Sequence, residues 1–315
     1  MSPRFPVADA HVDVLWRMEQ ERLSFYGETS SLLAGYERLL AGGIRTQVFA
    51  LFTMPTVSAG EQAASILRQI DLFYEQVVHL DKVKVVQSRL DYQAASQTGQ
   101  IAALLSLEGG GCLQGQVEFL RVFHRLGVRG LGLTWNAANE LADGCMEPRG
   151  SGLTAAGKRV VEELSRLHMW VDLAHLADAG VRDVFKWSKG PVMASHANSR
   201  RVHNHPRNLT DDVILELIQR DGWIGLTFEA SFLASLEYAD VHDVFRHIDH
   251  MLELGAENHL GFGSDFDGAS HPLPGLGDSA DYAPFSSQLE ERYGREIAEK
   301  LLYRNFDLFL QRSLR

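Results

Sequence analysis

The alternation of short, near-continuous apolar runs with longer stretches of helical periodicity constrains this chain more than any other feature. Runs such as IAALLSL and GLGLTW carry apolar side chains at successive positions rather than at every second one. Strands of that kind are buried on both faces, as in a parallel sheet covered by helices. Eight runs predict strands over Val7–Asp13, Ile44–Phe52, Ile101–Leu107, Val128–Thr134, Met169–Ala174, Pro191–Ser195, Gly222–Phe228 and His259–Asp265. A ninth, KVKVVQ at Lys82–Gln87, reads as an extra strand between the second and third units. Among the intervening stretches, Glu61–Leu80, Thr154–His168 and Thr210–Arg220 have helical spacing, and Thr154 is placed to cap its helix. Glu290–Arg312 reads as a long C-terminal helical region broken near Asn305.

Eight strand–helix units predict an α/β fold of the (β/α)8, TIM-barrel type, with a doubly wound open sheet as the structural alternative. No repeat, low-complexity segment or linker marks a second domain, so residues 1–315 are expected to form a single barrel domain. The Gly/Pro-rich segment Ser270–Gly277 reads as a long loop after the last strand.

Thirty basic against 41 acidic residues give a net charge of −11, which argues against nucleic-acid binding. With 23% charged residues and no long apolar run, a transmembrane helix is excluded. MSPRFPVADAHVDV shows no apolar signal region, and LFLQRSLR shows no anchor tail. A soluble cytoplasmic protein without a membrane partner is the expectation, with Cys112 and Cys145 as free thiols.

The polar residues are informative by position. Five of the eight predicted strands end in a residue able to bind metal: His11 and Asp13, then Glu108, His175, His196 and Asp265. In a barrel the C-terminal strand ends converge on one face, so these scattered residues are expected to meet there. His11 and Asp13, two apart on a strand, point the same way. Any one of these residues alone reads more simply as a structural polar group or a turn. A hydrogen-bonded polar cluster would have to account for five strand ends at once. Three imidazoles and three carboxylates exceed one tetrahedral zinc but suit two metals sharing a carboxylate. Nitrogen and oxygen donors favour Zn2+, with Mn2+, Co2+ or Fe2+ as substitutes. His242, His247 and His250 read as residues of an outer helix, and His203 and His205 as loop residues bordering a pocket or solvated.

The motifs DAHVDV, SLEGG, GVRGLGLTWN, GLTAAGKRVVEELSRLHMWVDLAH, PVMASHANSRRVHNHPRNLTDDVI and HLGFGSDFDG resemble, in order and over nearly the full chain, the renal (membrane) dipeptidase family of zinc metallopeptidases, close to its bacterial members. The resemblance implies a barrel with two zinc ions per chain, a homodimer, and hydrolysis of dipeptides, including those with a C-terminal D-residue. On this sequence it makes His11, Asp13 and Glu108 ligands of one zinc, with Glu108 bridging to a second held by His175 and His196. Asp265 matches the residue that approaches the first metal and moves the proton, so that Asp265 and Glu108 form the catalytic pair. Arg207, in HPRNLTDD, matches the arginine that pairs with the substrate carboxylate.

The chain departs from the mammalian pattern at Trp135, which replaces a substrate-binding histidine. Indole donates a hydrogen bond but accepts none. Trp135 is therefore expected to shape the substrate pocket, with Asn136 or Asn139 offering polar contacts. The implied mechanism is attack by a water made acidic between two metals, with Asp265 as general base and then acid. Two further readings stand beside it: hydrolysis of a cyclic amide or lactam at the same site, and a non-catalytic metal- or peptide-binding barrel.

Overall fold

The computed structural model describes residues 4–27 and 29–315. Nine parallel strands run in chain order: β1 (Val7–Val12), β2 (Ile44–Phe52), β3 (Val83–Val85), β4 (Ile101–Glu108), β5 (Val128–Gly132), β6 (Trp170–Asp172), β7 (Val192–Ala194), β8 (Trp223–Leu226) and β9 (Leu260–Phe262). Their order is β2-β1-β9-β8-β7-β6-β5-β4, and pairing of β2 with β4 closes the sheet into an eight-stranded barrel. Helices surround it, which is the expected (β/α)8 architecture.

The short β3 is the ninth strand anticipated at Lys82–Gln87. It pairs with Ile101–Ala103 of β4, whereas β5 pairs from Leu105 onward. The two strands thus use successive stretches of β4 rather than competing for the same backbone groups.

Apolar residues fill both surfaces of the barrel wall. Ala8 and Ala10 of β1, Val48, Ala102, Leu104, Trp170, Met193 and Trp223 pack together inside, closed off by Phe306, Phe309 and Leu310 of the C-terminal helix. Room for the two indoles comes from missing side chains. A Cβ on Gly130 would collide with the Trp170 ring, and one on Gly261 with Trp223. Gly130→Ala is therefore expected to destabilise the barrel by about 1–3 kcal/mol through overpacking, read as a lower denaturation midpoint. A midpoint equal to wild type would show that Trp170 can move aside.

The outer helices follow the sequence pattern. Thr154 caps Ala155–Leu167 by accepting from the Gly157 amide at 3.0 Å. Thr210 stands at the N-cap of Asp211–Gln219 without a side-chain cap bond. The helix expected from Glu61 begins earlier, at Ala59 behind Ser58, and passes into a π-turn at Phe73–Val77.

The break expected near Asn305 takes the form of a π-turn ending at Arg304, and a second interruption lies earlier. The non-helical residue is Gly294, at φ 79°, followed by a π-turn over Lys300–Arg304. Asn305 opens Asn305–Ser313 and fastens it to the barrel, donating to the Glu257 and Leu260 carbonyls. Most predicted strands also overrun the observed ones, by up to three residues at the C-terminal end, and Asp13 and Asp265 of the site lie in that gap.

Candidate metal centre and active site

His11 reaches the barrel mouth through a local irregularity. Ala8 and Ala10 face the interior, so strict alternation would turn His11 outward into the helix layer. The β1–β2 register slips between Asp9 and Val12, where β1 carries one extra residue. Such a bulge re-aims the side chains beyond it. Asp9 braces this bend: its Oδ1 accepts from the His11 amide (3.1 Å) and the Ser264 amide (3.0 Å), and its Oδ2 from Tyr282 (3.1 Å).

Glu108 lies at the centre of the cluster with its two oxygens facing different partners. Oε2 is 3.4 Å from His11 Nε2, which is itself 3.4 Å from Asp13 Oδ2. Oε1 is 2.9 Å from His175 Nε2 and 3.7 Å from His196 Nε2. Asp265 Oδ1 lies 3.8 Å from His11 Nε2. All six residues expected to meet do so. Their ligand atoms fall into three overlapping trios, each within 4.8 Å: His11, Asp13 and Glu108; Glu108, His175 and His196; His11, His196 and Asp265.

Two of these side chains project from strained turns. His175 has φ 64° and Asp265 φ 67°, left-handed conformations that non-glycine residues seldom adopt. Both lie just past the strand ends, where the chain leaves the ladder and can rotate a side chain back over the barrel axis. Such strain persists where the surrounding structure holds it, commonly at functional sites.

The electrostatics match a cation site. Burial drives His175 down to about 4 and holds His196 well below the ordinary imidazole range, leaving both rings neutral with a free lone pair. Burial acts to raise Glu108, but His11 and His175 outweigh it and hold the carboxyl well below its usual range. Asp265 is pushed well above the carboxylate range by burial, reinforced by Asp13. His11 Nε2 and Asp13 Oδ1 are buried without a hydrogen-bond partner among the described residues. Orphaned polar atoms of this kind are costly unless a ligand meets them. The residues therefore fit a divalent metal.

A cavity of about 270 Å³ opens onto this cluster. Asp13, Glu108, His175 and Asp265 form its floor, and Trp16, Phe52, Met54, Trp135, Glu229 and Phe232 line its walls. Trp135 packs against Phe52 and His175, with ring centroids 5.5 and 6.0 Å away.

Motifs that agree in order, a closed parallel barrel and a six-residue cluster at its mouth now stand together. The model of the family described as membrane dipeptidase (peptidase family M19) matches residues 1–309. The chain belongs to the membrane dipeptidase family. It is 32% identical over 314 residues to Dipeptidase aclJ of Aspergillus oryzae, covering 92% of this chain and 73% of that one. It is 28% identical to Dipeptidase 3 of Rattus norvegicus over 96% of this chain and 64% of that protein.

Among solved structures, the dipeptidase AC, a metallopeptidase of family M19, superposes with a TM-score of 0.89 at 29% identity, over 98% of this chain and 99% of that one. A metallopeptidase from Rhodobacter sphaeroides liganded with a phosphinate mimic of L-Ala-D-Ala superposes at 0.90 and 26% identity, with the same coverage. The protein is a metallo-dipeptidase on an M19 barrel.

Within this dipeptidase the remaining predicted residues are placed as follows. Arg207 is buried; its Nη2 donates to the His196 carbonyl at 2.9 Å, its guanidinium lies 5.2 Å from the Phe232 ring centre, and its Nε has no partner. No described carboxylate pairs with it. Asn136 lines the cavity, but its side-chain oxygen is engaged with His175 Nδ1 at 2.8 Å. Asn139 is spent inside its own loop, on Leu133, Leu141 and Ala142. His205 stacks on Phe232 beside Arg207, and His247 is a core residue joining the Ser199 amide to the Leu233 carbonyl.

Sequence reasoning missed Asp9, Asp172, Ser195 and Glu229. Asp172 Oδ1 accepts from the Ala174 and Ser195 amides, joining the two loops that carry His175 and His196. Glu229 receives the His271 amide and side chain, tying two loops over the cavity. A carboxylate inside an apolar strand, as in VADAHV and MWVDLA, was the available signal for Asp9 and Asp172. No helix among the described residues is long and apolar enough to cross a membrane.

Proposed function

We propose that this chain is a binuclear zinc dipeptidase that accepts dipeptides, including those ending in a D-residue, within one barrel domain. The observation that carries the binuclear reading is Glu108, whose two oxygens each face a separate set of ligand atoms. His11 and Asp13 would hold one cation and His175 and His196 the other, with Glu108 contributing to both. Zinc bound there supplies an acidified water and an electrophile for the scissile carbonyl.

The chain's own residues do the rest. Asp265 reaches the same space, 3.8 Å from His11 Nε2, and is placed to accept a proton and return it to the leaving amine. Arg207, a buried guanidinium with no carboxylate partner among the described residues, takes the substrate's terminal carboxylate. Trp16, Phe52, Trp135 and Phe232 line the cavity over the cluster and exclude water there. The cavity, just below the roughly 300–1,000 Å³ usual for small-ligand sites, suits two residues better than a longer peptide. The phosphinate mimic of L-Ala-D-Ala bound by the Rhodobacter sphaeroides relative supports tolerance of a D-residue at the second position. A homodimer in the cytoplasm completes the reading.

The deciding experiment is a panel of L-L dipeptides, L-D dipeptides and lactams with the zinc-loaded protein, repeated after chelation. Turnover of dipeptides that disappears with chelator and returns with zinc is expected. Lactam turnover without dipeptide turnover would replace the substrate class. Arg207→Ala is expected to lower kcat/KM for free dipeptides by about 10- to 100-fold, the range of a charge-assisted pair, and to leave C-terminally amidated dipeptides nearly unaffected. Equal losses on both would remove Arg207 from the carboxylate.

A further inference from the structure

Both histidines on the Oε1 side of Glu108 have their other ring nitrogen occupied. His175 Nδ1 is 2.8 Å from Asn136 Oδ1, and His196 Nδ1 is 2.7 Å from Ser195 Oγ. The two Nε2 atoms converge to 3.0 Å from each other. An amide oxygen only accepts, so facing Asn136 Oδ1 the His175 ring carries its proton on Nδ1 and presents a bare lone pair at Nε2. The Cys145 thiol also points at that oxygen, at 3.9 Å, so this end of the amide meets two donors. The bare His175 nitrogen and the Glu108 oxygen 2.9 Å from it repel one another unless a proton or a cation lies between them.

The backbone holds Asn136 independently of its side chain, because its carbonyl accepts from the Met146 amide at 3.0 Å. The Cys145 amide donates to the His175 carbonyl at 2.7 Å, which fixes the two loops face to face. Trp135, the neighbouring residue, covers the His175 ring with an interplanar angle of 34°. Two consecutive residues that the sequence suggested for substrate thus bracket one histidine.

We propose that Asn136 is a positioning residue that sets the tautomer and orientation of His175, with Ser195 holding the orientation of the His196 ring, and so tunes this half of the site for zinc. The proposal rests on the binuclear zinc reading and adds residues outside the ligand set. Groups that orient metal-bound imidazoles in this way typically change metal affinity by about 10- to 100-fold when removed.

The test is zinc titration of the metal-free protein against a chromophoric chelator, for wild type, Asn136→Ala, Asn136→Asp and Ser195→Ala, with thermal melts of each metal-free protein. Asn136→Ala is expected to weaken one of two zinc equivalents by about 10- to 100-fold while its metal-free melt stays at the wild-type position. Asn136→Asp keeps an acceptor against Nδ1 and is expected to restore the affinity, an outcome that a merely structural asparagine would not produce. Wild-type zinc affinity in Asn136→Ala would overturn the positioning role and leave the binuclear reading intact. Loss of affinity in both Asn136 variants would overturn it as well, since the acceptor would then be irrelevant. A wild-type chain that takes up no zinc would overturn the metal reading itself and this inference with it.

Discussion

Glu108→Gln is expected to abolish dipeptide hydrolysis and to reduce bound zinc from two equivalents to one or none. The substitution is nearly isosteric, so the barrel should keep its fold and its circular dichroism. Its effect on the site is large because Glu108 is shared. One oxygen belongs with His11 and Asp13, the other with His175 and His196. An amide removes the charge from both halves together, and turns an NH2 group, which cannot ligate, toward one of them. Lewis-acid stabilisation contributes several kcal/mol in metal-assisted hydrolysis, and about 4 kcal/mol corresponds to roughly a thousandfold in rate. A fall in kcat/KM of at least about 10³-fold is therefore expected, checked by steady-state kinetics alongside metal analysis of the desalted protein. Two retained zinc ions with near-normal kcat/KM would take Glu108 out of the bridging position.

That residue also shows why much of the site was legible in the sequence. Glu108 follows IAALLSL, a run whose apolar continuity required a doubly buried parallel strand. The end of such a strand in a barrel points to one common mouth, so strand type alone located the residue in space. The same holds for His11, Asp13, His175, His196 and Asp265. What stayed hidden depends on contacts that a linear pattern cannot carry. The bulge between Asp9 and Val12 is invisible in VADAHV, where strict alternation would align Asp9 with His11; instead Asp9 bonds to Tyr282, 273 residues away. Asn136 read as a pocket residue beside Trp135 and does line the cavity, but only the fold brings His175 onto its oxygen. Strands were read too long for a related reason. Apolar character continues past Asp172 through Leu173 and Ala174, but the backbone turns left-handed at His175, as it does at Asp265, to aim them at the site.

The left-handed turn at Asp265 makes the second large prediction unusually clean. Asp265→Asn is expected to keep the fold and both zinc ions but to lower kcat by about 10²- to 10⁴-fold, the usual worth of a positioned proton acceptor and donor. Asparagine tolerates positive φ as readily as aspartate, so the backbone at φ 67° has no reason to rearrange. The Asp265 amide donates to the His11 carbonyl and its own carbonyl accepts from Gly268 and Ala269, contacts that the substitution leaves intact. His11, Asp13, Glu108, His175 and His196 remain to hold the metals. Only the capacity to take a proton is lost, because an amide cannot be protonated near neutral pH. Asp265→Ala would be a poorer test, since alanine resists the left-handed conformation and would add strain to the loss of the carboxylate. The measurement is kcat together with zinc content for Asp265→Asn. Turnover within a few-fold of wild type at full metal content would assign the proton transfer to another group. A parallel loss of zinc would instead make Asp265 chiefly a ligand, as its place with His11 and His196 in one trio allows.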